Sequence, residues 1–388
     1  MPSVPPLFLA SLAGLFPSIA IPLALGWKTL SVFDAAFGLL VLWAVGSRSF
    51  RSPDHRLIAA SALFCGAGWL AFALEPSPLG LRAMAMTSYS IVVFLLAAHL
   101  RIEPAVAKRV ILWPLAMALV VAWVMLVLQN GFGVAMEYNL SFALPGAIRR
   151  LGGFTGGPAL VLFVAMAIPL LRGNRAAEIL LLLSSWATLS RAMIGAGVAI
   201  LLPIRGTRTS ERTRVLASTL AKGTIAASLV AYWFALIPAD PARRQSLLPT
   251  FEPGAYRTLH GVELRMLAQA PVTGHGPGQF MIEFRNHSSK EEQDLVGGPE
   301  RLPYWDPHSA LLGLAVEQGL IGLSVLGWLA FEIYRRLCAG ADTEFRAKAL
   351  ASCLALIVGG HFVDWFVLKG LWLWMGLLVA ASKPAGRI

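Results

Sequence analysis

The sequence predicts an all-α, polytopic integral membrane protein with about twelve transmembrane helices. Three observations carry that prediction: the apolar content, the spacing of the apolar stretches, and the distribution of basic residues between the loops. Of 388 residues, 57% are hydrophobic and only 14% charged, and the mean hydropathy is +0.67. One soluble core cannot use that much apolar surface. A hydrocarbon layer about 30 Å thick is crossed by roughly 17 to 25 apolar residues in a helix, which satisfies its own backbone hydrogen bonds there.

Taken in order, the spans are expected at residues 6–26, 30–46, 57–74, 84–100, 109–128, 156–171, 176–189, 192–204, 217–237, 309–334, 346–363 and 367–382. The stretches flanking Ser190 and Arg191 are short. Each is a full crossing or one half of a broken helix, so the count is eleven or twelve. With the N-terminus inside, the inner segments hold 19 of the 32 basic residues, from Arg48, Arg51 and Arg56 through Arg346 and Lys348 to Lys383 and Arg387. The short outer loops hold five: Lys28, Arg82, Arg149, Arg150 and Arg191. This positive-inside bias places both termini in the cytoplasm and the long loop of residues 238–307 on the outer face.

The net charge of +11 is therefore largely topological, which argues against a nucleic-acid groove. The first span lacks a basic region before it and a small-residue cleavage site, and reads as a retained anchor. Cys65, Cys338 and Cys353 fall in or beside spans, so neither a disulfide framework nor a thiolate metal site is implied. No repeat or low-complexity tract divides the chain. Residues 1–388 form a single membrane domain with two outer insertions, a short loop at 129–155 and the large loop at 238–307 before the tenth span. A loop that long is expected to be functional. Within it, residues 256–270 place Leu259, Val262, Met266 and Leu267 at helical spacing, with Arg257, His260 or Gly261, and Arg265 on another face. Pro271 and Gly274 end that helix.

Chemistry concentrates on this outer side. In Tyr304-Trp305-Asp306-Pro307-His308-Ser309, Asp306 reads as the N-cap, Pro307 as the first helical residue and His308 as part of the first turn. The positive end of the helix favours a neutral imidazole, which suits a general base. The alternative is an interfacial polar residue that ties a loop to a helix end. Arg191 is costly inside a span and faces an anion or cavity, or marks an outer helix junction. Arg149, Arg150, Arg257 and Arg265 join it as donors for a phosphate, or are solvated loop charges. Asp306 and Glu263 are candidate partners that orient the base or an arginine. Gly274-His275-Gly276-Pro277-Gly278 has no strand before it and reads as a tight turn rather than a phosphate cradle. No HExxH, HxxxH or Asp-x-Asp spacing supports a catalytic metal, so neither metal nor cofactor is expected.

Several of these segments resemble one family. Pro307-His308-Ser309, Leu311-Leu312 and Glu317-Gln318-Gly319-Leu320-Ile321-Gly322-Leu323 are similar to the His-Asn-x-x-Leu and Glu-x-Gly-Leu-Ile-Gly pattern of the O-antigen ligase and polymerase superfamily. Leu189-Ser190-Arg191-Ala192 resembles its Ser-Arg-Gly or Ser-Arg-Ala segment. Residues 257–280, with Arg257, Pro271, Gly274, Gly276, Gly278 and Phe280, resemble its Arg, Pro, Gly-x-Gly-x-x-Phe stretch. The likeness covers residues 150–335. Ser309 stands where Asn is common, and Ala192 where Gly is common.

The resemblance implies a GT-C-like, metal-independent glycosyltransferase of the bacterial inner membrane with its active site facing the periplasm. An undecaprenyl-diphosphate-linked glycan is the donor, and a lipid A-core hydroxyl the acceptor in lipopolysaccharide biosynthesis. His308 would deprotonate the acceptor, Arg191 and Arg265 would hold the diphosphate, with Arg257, Arg149 and Arg150 as further candidates, and the anomeric carbon would invert. An O-antigen or exopolysaccharide polymerase is the alternative within the superfamily. A lipid-linked glycan flippase or transporter is the alternative outside it, and it would need ionisable residues deep in several spans.

Overall fold

A computed structural model of the chain describes residues 4–15, 20–21, 30–132, 157–171, 174–187, 253–296, 309–339, 343–360, 366 and 368–382. These are mostly helical: α1 Val4–Gly14, α2 Val32–Gly46, α3 His55–Leu74, α4 Pro78–Ala98, α5 Pro104–Phe132, α6 Gly157–Ala167 with a 3-10 turn at Ile168–Leu170, α7 Arg175–Ala187, α8 Pro253–Gln269, α9 Phe280–His287, α10 Lys290–Leu295, α11 Ala310–Cys338, α12 Thr343–Gly360 and α13 Lys369–Ser382. Two two-residue strands, β1 Ala20–Ile21 and β2 Leu30–Ser31, pair antiparallel between α1 and α2.

Among the described residues, α3, α4, α5 and α11 are long and apolar enough to cross a membrane, and α1, α2, α6, α7, α12 and α13 contain shorter apolar runs. The expected spans at 192–204 and 217–237 lie outside the described residues. Caps explain where the helices begin. Asp54 accepts from the Leu57 N–H at 3.3 Å to start α3, and Ser31 forms a capping box with Asp34 to start α2. Helix α4 starts six residues before the expected span because Ser77 caps it at 2.9 Å with Pro78 in the first turn. A cap signal sets the helix start, whereas hydropathy marks only the part that crosses lipid.

The first span, expected at 6–26, is corrected. Its helix ends at Gly14, and Ala20–Ile21 turn into the short ladder. A Cβ on Gly14 would lie 2.7 Å from the Gly370 Cα. Pro17 and Pro22 each lack the N–H that a helix interior needs.

Helix α13 is the centre of the bundle. Gly370 and every residue from 371 to 380 are buried, held by a Trp374 indole donating to Ser11 Oγ at 2.8 Å and a Trp372 indole donating to the Phe366 carbonyl at 3.0 Å. Small residues let neighbouring backbones close in: Gly370 faces Gly14 of α1, and Gly376 faces Ala97 and the Phe94 carbonyl of α4. Such close crossings replace the hydrophobic drive that lipid does not supply between helices. The outer faces carry Leu42, Val45, Trp113 and Val120, all more than half exposed. That is the pattern of a surface wetted by lipid.

The two ends of the bundle differ. At one end the α3–α4 turn meets the insert formed by α8, α9 and α10. At the other, about 30 Å away along the twenty residues of α3, Arg336 pairs with the capping Asp54. There the Asp54 N–H donates to His99 Nε2 at 2.9 Å, while His99 Nδ1 donates to the Leu95 carbonyl at 2.7 Å. Arg51 donates to the Ala380 carbonyl at 3.0 Å. Lys369 Nζ bonds Asp34 at 2.8 Å and sits 4.9 Å from the Tyr89 ring centroid, joining the starts of α2 and α13.

One buried pair went unnoticed in the sequence. Lys348 of α12 donates to Glu178 of α7 at 2.8 Å, and both side chains are fully buried. The sequence places Lys348 among the inner-segment charges, but its side chain is buried inside the bundle. Lys348→Met should lower stability by about 3 to 5 kcal/mol, because it strands a buried carboxylate, and Lys348→Met with Glu178→Met should recover most of it. Thermal unfolding in detergent checks this, and a single variant as stable as wild type would refute it. In a cysteine-free background, cysteines at Asp294 and Lys108 should react with an impermeant maleimide from opposite sides of the membrane. Labelling of both from one side would contradict the bundle.

Candidate functional site

The insert folds because α8 is amphipathic. Leu259, Val262 and Met266 face Phe280 and Phe284 of α9, Val296 after α10, and Val316 of α11, forming a second small core apart from the main one. The helix expected over 256–270 is present as Pro253–Gln269, beginning three residues earlier and ending just before Pro271. Its other face carries Arg265, half exposed.

Residues 271–278 dock this insert onto a break in α11. At Gly319 the backbone leaves helical geometry, with φ 62° and ψ −163°. A break orphans carbonyls before it and amides after it, and the turn supplies partners for both. The His275 N–H donates to the Val316 carbonyl at 2.8 Å and the Gly276 N–H to the Glu317 carbonyl at 3.0 Å. The Leu320 N–H donates to the Pro271 carbonyl at 2.9 Å, and the Ile321 N–H to the Val272 carbonyl at 3.3 Å. Glu317 Oε1 accepts from the Gly278 N–H at 2.9 Å. Three of the glycine-rich turn's amides are thus directed at α11, which rules against a phosphate cradle there. A Cβ at Gly319 would fall 2.2 Å from the Val272 carbonyl oxygen, so only glycine fits.

Below the turn, two imidazoles are tied down. His275 Nε2 donates to the Met266 carbonyl and His287 Nδ1 to the Glu283 carbonyl, at 2.8 and 2.7 Å, with the rings 5.3 Å apart. The Glu283 carboxylate lies 3.7 Å from His275 and 3.5 Å from His287. Each ring spends an N–H on backbone, so both act as ties. Among the described residues, no group of three or more His, Cys, Asp or Glu is arranged to hold a metal.

Of the sequence candidates, His308, Asp306, Arg191, Arg149 and Arg150 lie outside the described residues. Arg257 falls on α8, but its side chain lies outside them too. By helical spacing Arg257 and Arg265 share a face of α8, about 12 Å apart along its axis. Arg265 gives its Nη2 to Glu292 at 2.7 Å and to the His287 carbonyl at 3.1 Å, so its charge is paired with a carboxylate. Glu263 lies on the opposite, buried face, 4.0 Å from His260 Nε2.

The start of α11 corrects the expected cap. Ser309, with φ −145° and ψ 111°, accepts from the Leu312 N–H at 3.3 Å and is the N-cap. Asp306 therefore does not cap α11, and His308 precedes the cap in sequence rather than sitting in the first turn. A serine hydroxyl caps as well as a carboxylate, and so does asparagine. In the sequence, Glu317 stands only as part of a resembled segment, with no role assigned to it. Its signal was a carboxylate two residues ahead of a mid-helix glycine.

The fold defines a mostly helical protein with helices able to cross a membrane and an amphipathic insert docked on a broken helix. No family model matches this chain, and no curated protein matches it.

The Glu292 carboxyl is pushed up by partial burial. The hydrogen bond and charge of Arg265, together with the Ser289 N–H, outweigh that and hold it below its usual value of 4.5. A depressed carboxyl stabilises the fold above its unfolded pKa and loses that contribution as pH falls through the folded value. Between pH 6 and pH 3, Arg265→Ala and Glu292→Gln should each flatten the acid limb of thermal stability, by no more than about 1 kcal/mol for so exposed a pair. An acid limb unchanged in both would contradict the pairing.

Proposed function

We propose that the chain is an O-antigen ligase: a glycosyltransferase that moves a glycan from undecaprenyl diphosphate to a hydroxyl of lipid A-core at the periplasmic face of a bacterial inner membrane. The observation that carries this reading is the α11 junction. The two segments with the family's glycine patterns, 271–280 and 309–323, are far apart in sequence yet form one hydrogen-bonded unit. In the sequence, His308 adjoins that unit at Ser309, and α8, on which Arg257 and Arg265 lie, leads into its turn at Pro271.

In the proposed reaction His308 takes the proton of the acceptor hydroxyl. The oxygen attacks the anomeric carbon as its bond to the diphosphate breaks, and undecaprenyl diphosphate leaves with the electron pair. Arginines, with Arg191 and Arg265 foremost, stabilise the departing charge, which a metal does in other transferases. Attack opposite the leaving group inverts the anomeric carbon. The positive-inside bias supports an orientation with the insert outside.

Purified protein should transfer glycan from the lipid-linked donor to lipid A-core in the presence of chelator. His308→Ala should lower the rate by about 10² to 10⁴, the range of a lost general base. The anomer of the product should be inverted. Products that only lengthen the lipid-linked glycan would assign a polymerase instead. No product of either kind, with donor moved between leaflets of vesicles, would assign a flippase.

A further inference from the structure

We propose that Glu317 is a positioning residue that locks the 271–278 turn into the α11 break, and so fixes the outer segment of α11 against the arginine-bearing α8. The kinetic part of this proposal rests on the ligase reading above.

The break needs partners, and most of them are backbone. The four main-chain bonds between 271–276 and 316–321 do not depend on side-chain identity. Glu317 adds a side-chain contact, one that a substitution can remove. Its carbonyl accepts from the Gly276 N–H, and its carboxylate reaches past Pro277 to accept from the Gly278 N–H at 2.9 Å. One residue therefore holds both ends of the Gly-x-Gly turn.

The turn is also wedged on its far side. Cβ atoms at Gly276 and Gly278 would meet Glu75 and Leu79 at 2.9 and 2.7 Å. It sits between the α3–α4 turn and α11, with φ of 92° and 71° at these two glycines. Only a residue without a Cβ takes that backbone at little cost, and such a backbone needs an acceptor to hold it. Glu317 provides one from inside the helix.

The consequence is geometric. Toward its N-terminus, the α11 segment that contains Glu317 runs to Ser309 and the adjoining His308. Through Pro271, the turn runs directly into α8, which bears Arg257 and Arg265. The clamp thus links the two halves of the site. Its loss should misplace base against leaving-group donors without removing either, and about 1 Å of misplacement costs on the order of 10²-fold in rate.

The test compares Glu317→Ala and Glu317→Gln in the full-length protein in nanodiscs. Hydrogen exchange of residues 271–280 and 310–321 is measured alongside transfer from the undecaprenyl-diphosphate-linked glycan to lipid A-core. Glu317→Ala should speed exchange in both segments, lower kcat by roughly 10- to 100-fold, and leave the donor KM within about threefold. The glutamine variant keeps an oxygen acceptor for the Gly278 N–H and should restore both readouts. Unchanged exchange in Glu317→Ala overturns the clamp. Faster exchange with unchanged kcat overturns the positioning role, and a glutamine variant as impaired as the alanine one overturns the hydrogen-bond account. A wild type that transfers nothing defeats the ligase reading, while the exchange data still decide the clamp.

Discussion

A broken helix must place its orphaned carbonyls and amides, and in this protein that need organises one whole face. The break at Gly319 frees the Val316 and Glu317 carbonyls and the Leu320 and Ile321 amides from intrahelical partners, and a backbone group buried without a partner is costly. The 271–278 turn meets all four. Because that turn is the continuation of α8, the insert cannot drift from the bundle without exposing the break again. Val316 then contributes to the insert's own small core, so apolar burial and backbone satisfaction act at the same place. The glycines at 274, 276 and 278 follow from this arrangement. All three adopt positive φ so that the chain can pass between α11 and the α3–α4 turn.

Much of the helical plan was legible in the sequence. Runs such as 57–74 and 109–128 matched helices closely because long apolar stretches leave little choice of structure, whereas the run at 309–334 is interrupted at Gly319. The amphipathic spacing of Leu259, Val262 and Met266 likewise gave α8 and its buried face. Other features were decided by groups that hydropathy does not weigh. Ser77 with Pro78 moved the start of α4, and Gly14 with the prolines after it ended α1 early. At α11, Ser309 capped the helix where Asp306 had been expected, since two good capping residues stood three positions apart and only tertiary fit chooses between them. Glu317, Glu178 and Lys348 each gained their role from a partner far away in the chain, which spacing alone does not reveal.

The charged residues are sorted by depth and partner. Asp34 with Lys369 joins helix starts at one end, Arg336 with Asp54 closes the other, and Lys348 with Glu178 is fully enclosed. Each charge meets an opposite charge, which is how a bundle tolerates ions where water is scarce. Enclosed pairs of this kind link helices. A transport path calls instead for ionisable groups along a cavity through several spans.

The position of α13 has a consequence for how the protein is made. It is the last described helix in the chain and is enclosed from Gly370 to Ala380, so the described helices around it are synthesised first and must wait. Until Lys369 emerges, Asp34 lacks the ammonium it pairs with here, and the small residues Gly14 and Ala97 lack the α13 glycines they pack against. The early bundle is therefore an open shell, and insertion of Lys369–Ser382 is the step that closes it. Biogenesis of this fold runs from the rim toward the axis.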